Sequence, residues 1–284
     1  MIIDNLKKIV SNLGKQTAGT IYLRNAIKEE IQNFILQYIY NSEIYKELIF
    51  TGGTCLRKVY GLPRLSEDLD FDYITSFDID EFAKNIESYF VSKLLYKNIV
   101  LKVATHKRTV FLKFPTLLSD LELVKNRSES ALLFVRCDFS EERLGEFKTE
   151  INSISTSNYT MFIKNYDLST LFANKIHAFL TRNYFKGKDQ QISFKGRDVF
   201  DIVWFIQKSK KDDFQLKPNW NRTRLEFPGQ SEAEIVKAVV EKSQKIDPKK
   251  VYLDLAPFVE SSQSVENFCG NYAKIIGTDF EKLI

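Results

Sequence analysis

The chain has 284 residues, 44% of them hydrophobic and 27% charged, so it can bury a substantial core and is not a disordered protein. A net charge of +4 permits a nucleic-acid partner without requiring one. Cys55, Cys137 and Cys269 are far apart and form no CxxC pair, which argues against a disulfide framework or a structural zinc site. No apolar stretch approaches the roughly 20 residues that span a bilayer, and the N-terminus lacks a signal-peptide pattern. We therefore expect a cytoplasmic protein.

Strand and helix patterns alternate through the first half of the chain, and helical patterns fill the second half. Apolar spacing predicts helices over 20–40 and 82–95, and strands over 48–50, 100–104, 109–114 and 131–139. Further helices are predicted over 168–183, 196–207 and 231–245, with KSKKDDFQLKPNW as a charged linker between the last two. The predicted fold class is α+β, a mixed sheet with flanking helices plus a C-terminal helical domain.

Residues 51–73, TGGTCLRKVYGLPRLSEDLDFDY, carry the strongest functional signal. The pair Gly52–Gly53 follows an apolar run and precedes Thr54 and a helix-compatible stretch. Glycines let the backbone approach an anion closely, and a helix beginning here would offer its first N–H groups to that anion. The pattern is typical of a phosphate-binding turn.

Acidic and apolar residues alternate at the end of this segment. In a strand, Asp68, Asp70 and Asp72 would share one face while Leu69 and Phe71 enter the core. Such close carboxylates repel each other, and a hard divalent cation, Mg²⁺ or Mn²⁺, usually keeps them ionised. A phosphate cradle beside a metal-binding acid pair predicts phosphoryl or nucleotidyl transfer. A solvated acidic strand end is the alternative, and Asp70 with Asp72 makes an equally spaced pair.

The segment resembles the glycine pair and Asp-x-Asp strand of the polymerase-beta-like nucleotidyltransferases. The longer string GGT-x-L-R-x-x-Y-G-L-x-R-x-S-E-D-L-D-F is similar to one branch of them, the AbiEii/AbiGii-type toxins of abortive-infection and toxin–antitoxin systems. The resemblance implies a nucleotidyltransferase core at 46–160, after an N-terminal helical segment (1–45) and before a helical domain (161–284) that completes the active-site cleft. It also implies an Mg²⁺- or Mn²⁺-dependent transfer of NMP from an NTP to an RNA hydroxyl, with the 3′ end of tRNA as the expected acceptor, and a separately encoded antitoxin.

The resemblance assigns roles to residues of this first block. It places metal ligands at Asp68 and Asp70 and expects a third carboxylate on a neighbouring strand that activates the attacking hydroxyl or binds a second metal ion. Asp138 is the candidate for this third carboxylate and metal ligand. The nucleotide-binding residues implied here are Gly52, Gly53, Thr54, Arg57 and Ser66, with the hydroxyls of Thr54 and Ser66 expected to face the phosphates. Ordinary structural roles stay open for three of these residues: a turn for Ser66, a solvated side chain for Arg57 and a strand-end cap for Asp138.

Lys175 is singled out by periodicity alone. It lies inside an apolar helical stripe formed by Leu168, Leu171, Phe172, Ile176 and Phe179. Because lysine is almost never buried without a partner, its ammonium group must meet a carboxylate or a phosphate, unless it snorkels to solvent.

Two later motifs extend the resemblance. Lys175, Ala178 and Arg182 match a K-x-x-A-x-x-x-R helix, and Arg197, Asp198 and Asp201 match an R-D-x-x-D helix. The resemblance implies that Lys175 and Asp198 form a catalytic pair and that Lys175, Arg182 and Arg197 bind the nucleotide. A purely structural salt bridge between Lys175 and Asp198 is compatible with the same residues.

Two other functions stay open. The acceptor could be a protein hydroxyl or a small molecule such as an aminoglycoside. The chain could also be a non-catalytic nucleotide- or RNA-binding module, although the intact Asp68 and Asp70 argue against a decayed site. For an RNA acceptor, we expect the basic loop residues Lys186, Lys188, Lys195 and Arg197 to contact its phosphates.

Overall fold

The computed structural model of the protein describes residues 2–13, 20–124, 132–155, 159–186 and 190–284. Its strands are β1 (Ile49–Thr51), β2 (Asp68–Tyr73), β3 (Val100–Val103), β4 (Thr109–Phe114), β5 (Leu133–Glu141), β6 (Thr149–Ser155), β7 (Thr160–Tyr166), β8 (Tyr184–Lys186) and β9 (Gln190–Ile192). The first helices are α1 (Ile2–Leu13), α2 (Thr20–Tyr40), α3 (Gly52–Tyr60), α4 (Ile79–Ser92), α5 (Leu117–Asp120) and α6 (Leu168–Thr181). They are followed by α7 (Gly196–Lys211), α8 (Trp220–Glu226), α9 (Glu232–Lys245), α10 (Pro248–Leu255), α11 (Ser262–Cys269) and α12 (Tyr272–Asp279).

Seven strands form one mixed sheet in the order β3-β4-β5-β2-β1-β7-β6, and β8 and β9 form a separate hairpin. β2 is antiparallel to β1 and parallel to β5, so a β-strand bearing acids has a neighbour on each side. β5 is antiparallel to β4, and β1 is parallel to β7. The predicted α+β class, a mixed sheet with flanking helices, is confirmed.

One face of the sheet forms an aromatic core. Phe50, Phe71 and Phe139 are register partners on β1, β2 and β5, and their rings stack with centroids 5.4 and 5.5 Å apart. Phe82 of α4 packs edge-on against Phe139, with centroids 4.9 Å apart. Since side chains alternate along a strand, the residues between these aromatic rings lie on the opposite face.

The chain divides into two compact units. Unit 1 comprises Met1–Val59, Leu65–Glu142 and Glu150–Asn165, and unit 2 comprises Tyr60–Arg64, Arg143–Thr149 and Tyr166–Ile284. Unit 2 is largely helical. At its centre, the fully buried rings of Phe172 (α6) and Phe205 (α7) stack with centroids 4.2 Å apart.

Most of the predicted elements are present, with shifted ends. α6 ends at Thr181, two residues earlier than predicted, because Arg182 has an extended conformation (ψ 122°). α7 continues to Lys211, into the segment predicted as a linker. The strand predicted from residue 131 begins at Leu133 in the structure, and residue 131 itself lies outside the described residues. No helix in the described ranges is long and apolar enough to cross a membrane.

Candidate active site

The acidic strand β2 has the predicted alternation. Leu69 and Phe71 are buried (0% and 1% exposed), whereas Asp68, Asp70 and Asp72 are partly exposed on the other face. The three carboxylates are therefore presented on the sheet face opposite the aromatic core.

A row of polar residues crosses this face on four strands. Asp70 is the register partner of Thr51 on β1 and of Asp138 on β5, and Asp138 is in turn the partner of Thr109 on β4. The Thr109 hydroxyl donates a hydrogen bond to Asp138 Oδ1. The parallel pairing of β2 and β5 thus brings Asp70 and Asp138 onto adjacent strands, as the third-carboxylate prediction requires.

Arg136 lies among these acids. It is the register partner of Asp68, and its guanidinium donates hydrogen bonds to Asp138 Oδ2. Burial alone would lower the pKa of Arg136. The hydrogen bond to Asp138 and the charges of Asp68, Asp138 and Asp70 more than offset burial, so the pKa of Arg136 is raised. Asp68, Asp70 and Asp138 therefore all act on the guanidinium of Arg136.

The backbone of Gly52 lies against this acidic face. Its φ is +76°, a conformation that glycine adopts readily and other residues rarely do. A Cβ added at Gly52 would lie 2.1 Å from Asp70 Oδ2. The carboxylate of Asp70 therefore sits against the first residue of α3, where the N-terminal N–H groups of the helix favour negative charge.

The structure corrects the role predicted for the Thr54 hydroxyl. Thr54 is fully buried, and its hydroxyl donates to the backbone carbonyl oxygen of Asp68. This bond fastens α3 to β2 and leaves no hydroxyl facing a phosphate. Ser66 precedes β2 and is partly exposed, and its backbone carbonyl accepts a hydrogen bond from Gln32.

Arg57 forms an ion pair within unit 1. Its Nε and Nη2 atoms donate to the two carboxylate oxygens of Glu29 on α2, at 2.9 and 3.4 Å. Lys58 lies 3.6 Å from the same carboxylate. Burial raises the pKa of Glu29, but Lys58 and Arg57 outweigh it and the net shift is downward. A phosphate role for Arg57 would therefore have to compete with this pair.

The acids offer oxygen donors suited to Mg²⁺ or Mn²⁺. Within the described ranges, no group of three or more His, Cys, Asp or Glu side chains is already arranged to hold a metal ion. Asp68 and Asp70 share a face and fit such an ion as a pair. Asp138 is bonded at both of its oxygens, by Thr109 and by Arg136, so it would join the pair only after Arg136 releases it.

In unit 2, Lys175 has a different partner from the predicted one. Lys175 Nζ lies 2.7 Å from Asp201 Oδ2, and Asp201 also receives two hydrogen bonds of 2.7 Å from Arg64. Burial raises the pKa of Asp201, but Arg64 and Lys175 outweigh it and the pKa is lowered. Arg64 and Asp201 are 4% and 0% exposed, so this is a buried ion triad.

The predicted pairing of Lys175 with Asp198 is therefore wrong. Asp198 instead accepts two hydrogen bonds from Arg182, the residue directly after α6. Both aspartates lie on the polar side of α7, three residues apart, and each meets a different cation. Arg197 contacts α10 and the segment that follows it. Its Nε lies 3.5 Å from Asp254 Oδ2, and its guanidinium lies 4.1 Å from the ring centroid of Phe258. Its nucleotide-binding role stays a prediction.

A family model for the nucleotidyl transferase AbiEii toxin of type IV toxin–antitoxin systems matches residues 35–255. The chain belongs to the AbiEii family. It is therefore a nucleotidyltransferase and a toxin of a type IV toxin–antitoxin system, as the sequence resemblance implied. No curated protein sequence matches it significantly.

Solved structures match this AbiEii protein at low sequence identity, and the match to MenT4 supports the shared fold. MenT4, a nucleotidyltransferase toxin from Mycobacterium tuberculosis, is 13% identical, with a TM-score of 0.53 over 99% of this chain and 92% of MenT4. JHP933 from Helicobacter pylori is 17% identical, with a TM-score of 0.46 over 91% of this chain and 94% of JHP933.

Three polar residues of the AbiEii protein were missed from the sequence. Arg64 occupies the arginine position of G-L-x-R in the first motif, so a signal was present, but nothing in the sequence named Asp201 as its partner. Arg136 and Thr109 carry no motif. They are identified only by the strand register that places them beside Asp68 and Asp138.

Proposed function

We propose that this AbiEii-family toxin is an Mg²⁺-dependent nucleotidyltransferase that adds NMP from an NTP to the 3′ end of tRNA in the cytoplasm. Its activity would be opposed by a separately encoded antitoxin. The observation that carries the proposal is the acidic face of the sheet. There Asp68 and Asp70 lie on β2, Asp138 lies on β5, and Gly52 abuts Asp70.

In this proposal the acceptor oxygen attacks the α-phosphorus of the NTP and pyrophosphate leaves. A bound divalent cation would supply charge neutralisation on the triphosphate. Asp68 and Asp70 would hold that cation, and the backbone N–H groups at Gly52 and Gly53 would bind phosphate oxygens. Asp138, freed from Arg136, would accept the proton of the acceptor hydroxyl.

We assign Lys175 and Arg182 of unit 2 to the phosphates of the nucleotide and the leaving pyrophosphate. The support is their positive charge and the match of their helix to the K-x-x-A-x-x-x-R motif. Each already holds an aspartate, Asp201 for Lys175 and Asp198 for Arg182, so the aspartates would fix the direction of the two cations.

A basic groove in unit 2 supports a polyanionic acceptor. It has a volume of about 490 Å³. Three lysines (Lys242, Lys245 and Lys250) and Phe194 line it together with two acids, Glu241 and Asp247, so the lysines outnumber the acids by one. Lys245 and Lys250 are exposed and form no ion pair among the described residues. Lysines beside an aromatic ring are typical of sites for single-stranded nucleic acid. Of the predicted basic loop, Lys188 and the side chain of Lys186 lie outside the described residues.

The test is transfer of label from each NTP, with Mg²⁺, to total RNA. We expect labelled tRNA with the wild type, and no label with Asp68→Ala or Asp70→Ala. Both variants should keep the wild-type melting temperature, because the Asp68 carbonyl that binds Thr54 belongs to the backbone and removing one acid relieves repulsion. Label on a protein or small molecule would replace the tRNA acceptor, and full transfer by a folded Asp70→Ala variant would refute the metal pair.

A further inference from the structure

Arg136 combines two properties that a purely structural arginine does not need. Its side chain is 44% exposed, yet it is bonded to Asp138, whose side chain is only 18% exposed. It is also the register partner of Asp68, and the charges of Asp68, Asp70 and Asp138 all act on it. A positive charge is therefore kept where the proposed function requires a divalent cation and a triphosphate.

The charges of the acidic face are unbalanced in a way that suits an exchange. Asp68, Asp70 and Asp138 together with Arg136 leave two negative charges in excess, and Asp72 adds a third on the same face, so the face can take up a divalent cation. A divalent cation that also contacted Asp138 would compete directly with Arg136 for Oδ2, because Oδ1 is held by the buried Thr109. The positive charge of the bound cation would repel the guanidinium of Arg136 and weaken its pair with Asp138.

We propose that Arg136 is a phosphate-binding residue that exchanges partners. It pairs with Asp138 in the nucleotide-free protein and moves to a phosphate of the NTP when a divalent cation binds the carboxylates. A guanidinium is suited to this exchange, because its planar donors match a carboxylate and a phosphate equally well. The inference rests on the proposed function, since it requires a divalent cation and an NTP at this face.

The exchange predicts opposite effects of one substitution on two ligands. Arg136→Gln removes the guanidinium that competes with a metal ion for Asp138, so Mn²⁺ should bind the nucleotide-free protein roughly tenfold more tightly. A phosphate partner is also gone, so the non-hydrolysable α,β-methylene NTPs should bind at least about tenfold more weakly at saturating Mg²⁺. Mn²⁺ binding is read from the electron paramagnetic resonance signal of free Mn²⁺, and nucleotide binding by calorimetry with all four analogues.

Lys113→Gln is the matched control. Lys113 lies on β4, on the same sheet face, as the register partner of Phe134, and it forms no ion pair among the described residues. The Lys113→Gln substitution removes the same charge without changing a partner of Asp138. The affinities for Mn²⁺ and for the nucleotide analogues should therefore stay within about twofold of wild type. Arg136→Lys should recover part of the nucleotide affinity, because it keeps the charge but not the two-pronged geometry.

Three outcomes separate the possibilities. If Arg136→Gln weakens Mn²⁺ binding, or leaves nucleotide affinity unchanged in a protein with wild-type melting temperature, the exchange is refuted and the proposed function stands. If wild type binds neither Mn²⁺ nor any analogue, the proposed function fails and the exchange fails with it. If Arg136→Gln is destabilised, Arg136→Lys decides: weaker nucleotide binding with unchanged Mn²⁺ affinity supports the two-pronged phosphate contact, and wild-type nucleotide affinity refutes it.

Discussion

Gly52 and Asp70 fit together so closely that the backbone and the acid depend on each other. We predict that Gly52→Ala lowers stability by about 1–2 kcal/mol, because alanine at φ +76° is strained. The added Cβ would also lie 2.1 Å from Asp70 Oδ2, so the carboxylate must move away. Mn²⁺ binding and NMP transfer should therefore fall at least about tenfold, a loss larger than the stability change explains.

Gly229→Ala is the control for the stability lost when alanine is placed at a positive φ. Gly229 has a φ of +82° and no heavy atom within 4 Å of an added Cβ. It should lose a similar amount of stability, measured by thermal melting, and keep full transfer activity. Equal losses of transfer in the two variants would show that strain, and not displacement of Asp70, causes the effect.

Side-chain direction limits what the sequence reveals about single residues. The alternation of acids with Leu69 and Phe71 was enough to place three carboxylates on one face. The hydroxyl of Thr54 was assigned to phosphate from its motif position alone. The structure turns it to the Asp68 carbonyl, because a buried hydroxyl needs an acceptor and β2 provides one.

The elements α6 and α7 are joined by the triad of Arg64, Lys175 and Asp201. Arg64 donates two hydrogen bonds to the fully buried carboxylate of Asp201. Lys175 forms one ion pair with that carboxylate and is partly exposed. We predict that Arg64→Met costs about 3–5 kcal/mol, because it leaves Asp201 buried with a single partner. Lys175→Met should cost only about 1–2 kcal/mol, because Arg64 still satisfies the carboxylate.

Urea unfolding midpoints of the two variants test this order. Arg224→Met is the control, since Arg224 pairs with Glu232 at a side chain that is 49% exposed and should contribute less than about 1 kcal/mol. Calorimetric NTP titration of Lys175→Met adds the functional readout, where we expect weaker binding. A larger loss of stability for Lys175→Met than for Arg64→Met would contradict the assigned geometry, and wild-type nucleotide affinity would refute the phosphate role of Lys175.

Helical periodicity identified the polar side of α7 but not the pairing across it. Asp198 and Asp201 are three residues apart and therefore lie on the same side of the helix. Which of them meets Lys175 depends on the position of α7 along α6, a tertiary property that no local pattern encodes. The same limit applies to β6, whose residues are all exposed or half-buried and which therefore shows no apolar alternation to detect.

At the scale of the whole molecule, the net charge of +4 hides its distribution. Acids concentrate on one face of the sheet in unit 1, where a polyanion would be repelled unless a cation is bound. In unit 2, Lys242, Lys245 and Lys250 line one groove. Burial lowers the pKa of Lys242, and its ammonium group donates to the Leu180 carbonyl, so the exposed Lys245 and Lys250 are the better phosphate contacts.

These lysines lead to a prediction about salt. If the acceptor is RNA held in this groove, Lys245→Gln with Lys250→Gln should weaken tRNA binding at low salt. It should also make the slope of log affinity against log salt less steep by about 1.4, because each lost contact to single-stranded RNA removes about 0.7. Mn²⁺ affinity should not change, because the acidic face is untouched.

Lys211→Gln with Lys274→Gln removes two exposed lysines outside the groove and should leave the slope as in wild type. Fluorescence anisotropy with labelled tRNA across a salt series measures both variants. Identical slopes for the two pairs would exclude the groove as the acceptor site, while a steep wild-type slope would still support an RNA acceptor bound elsewhere.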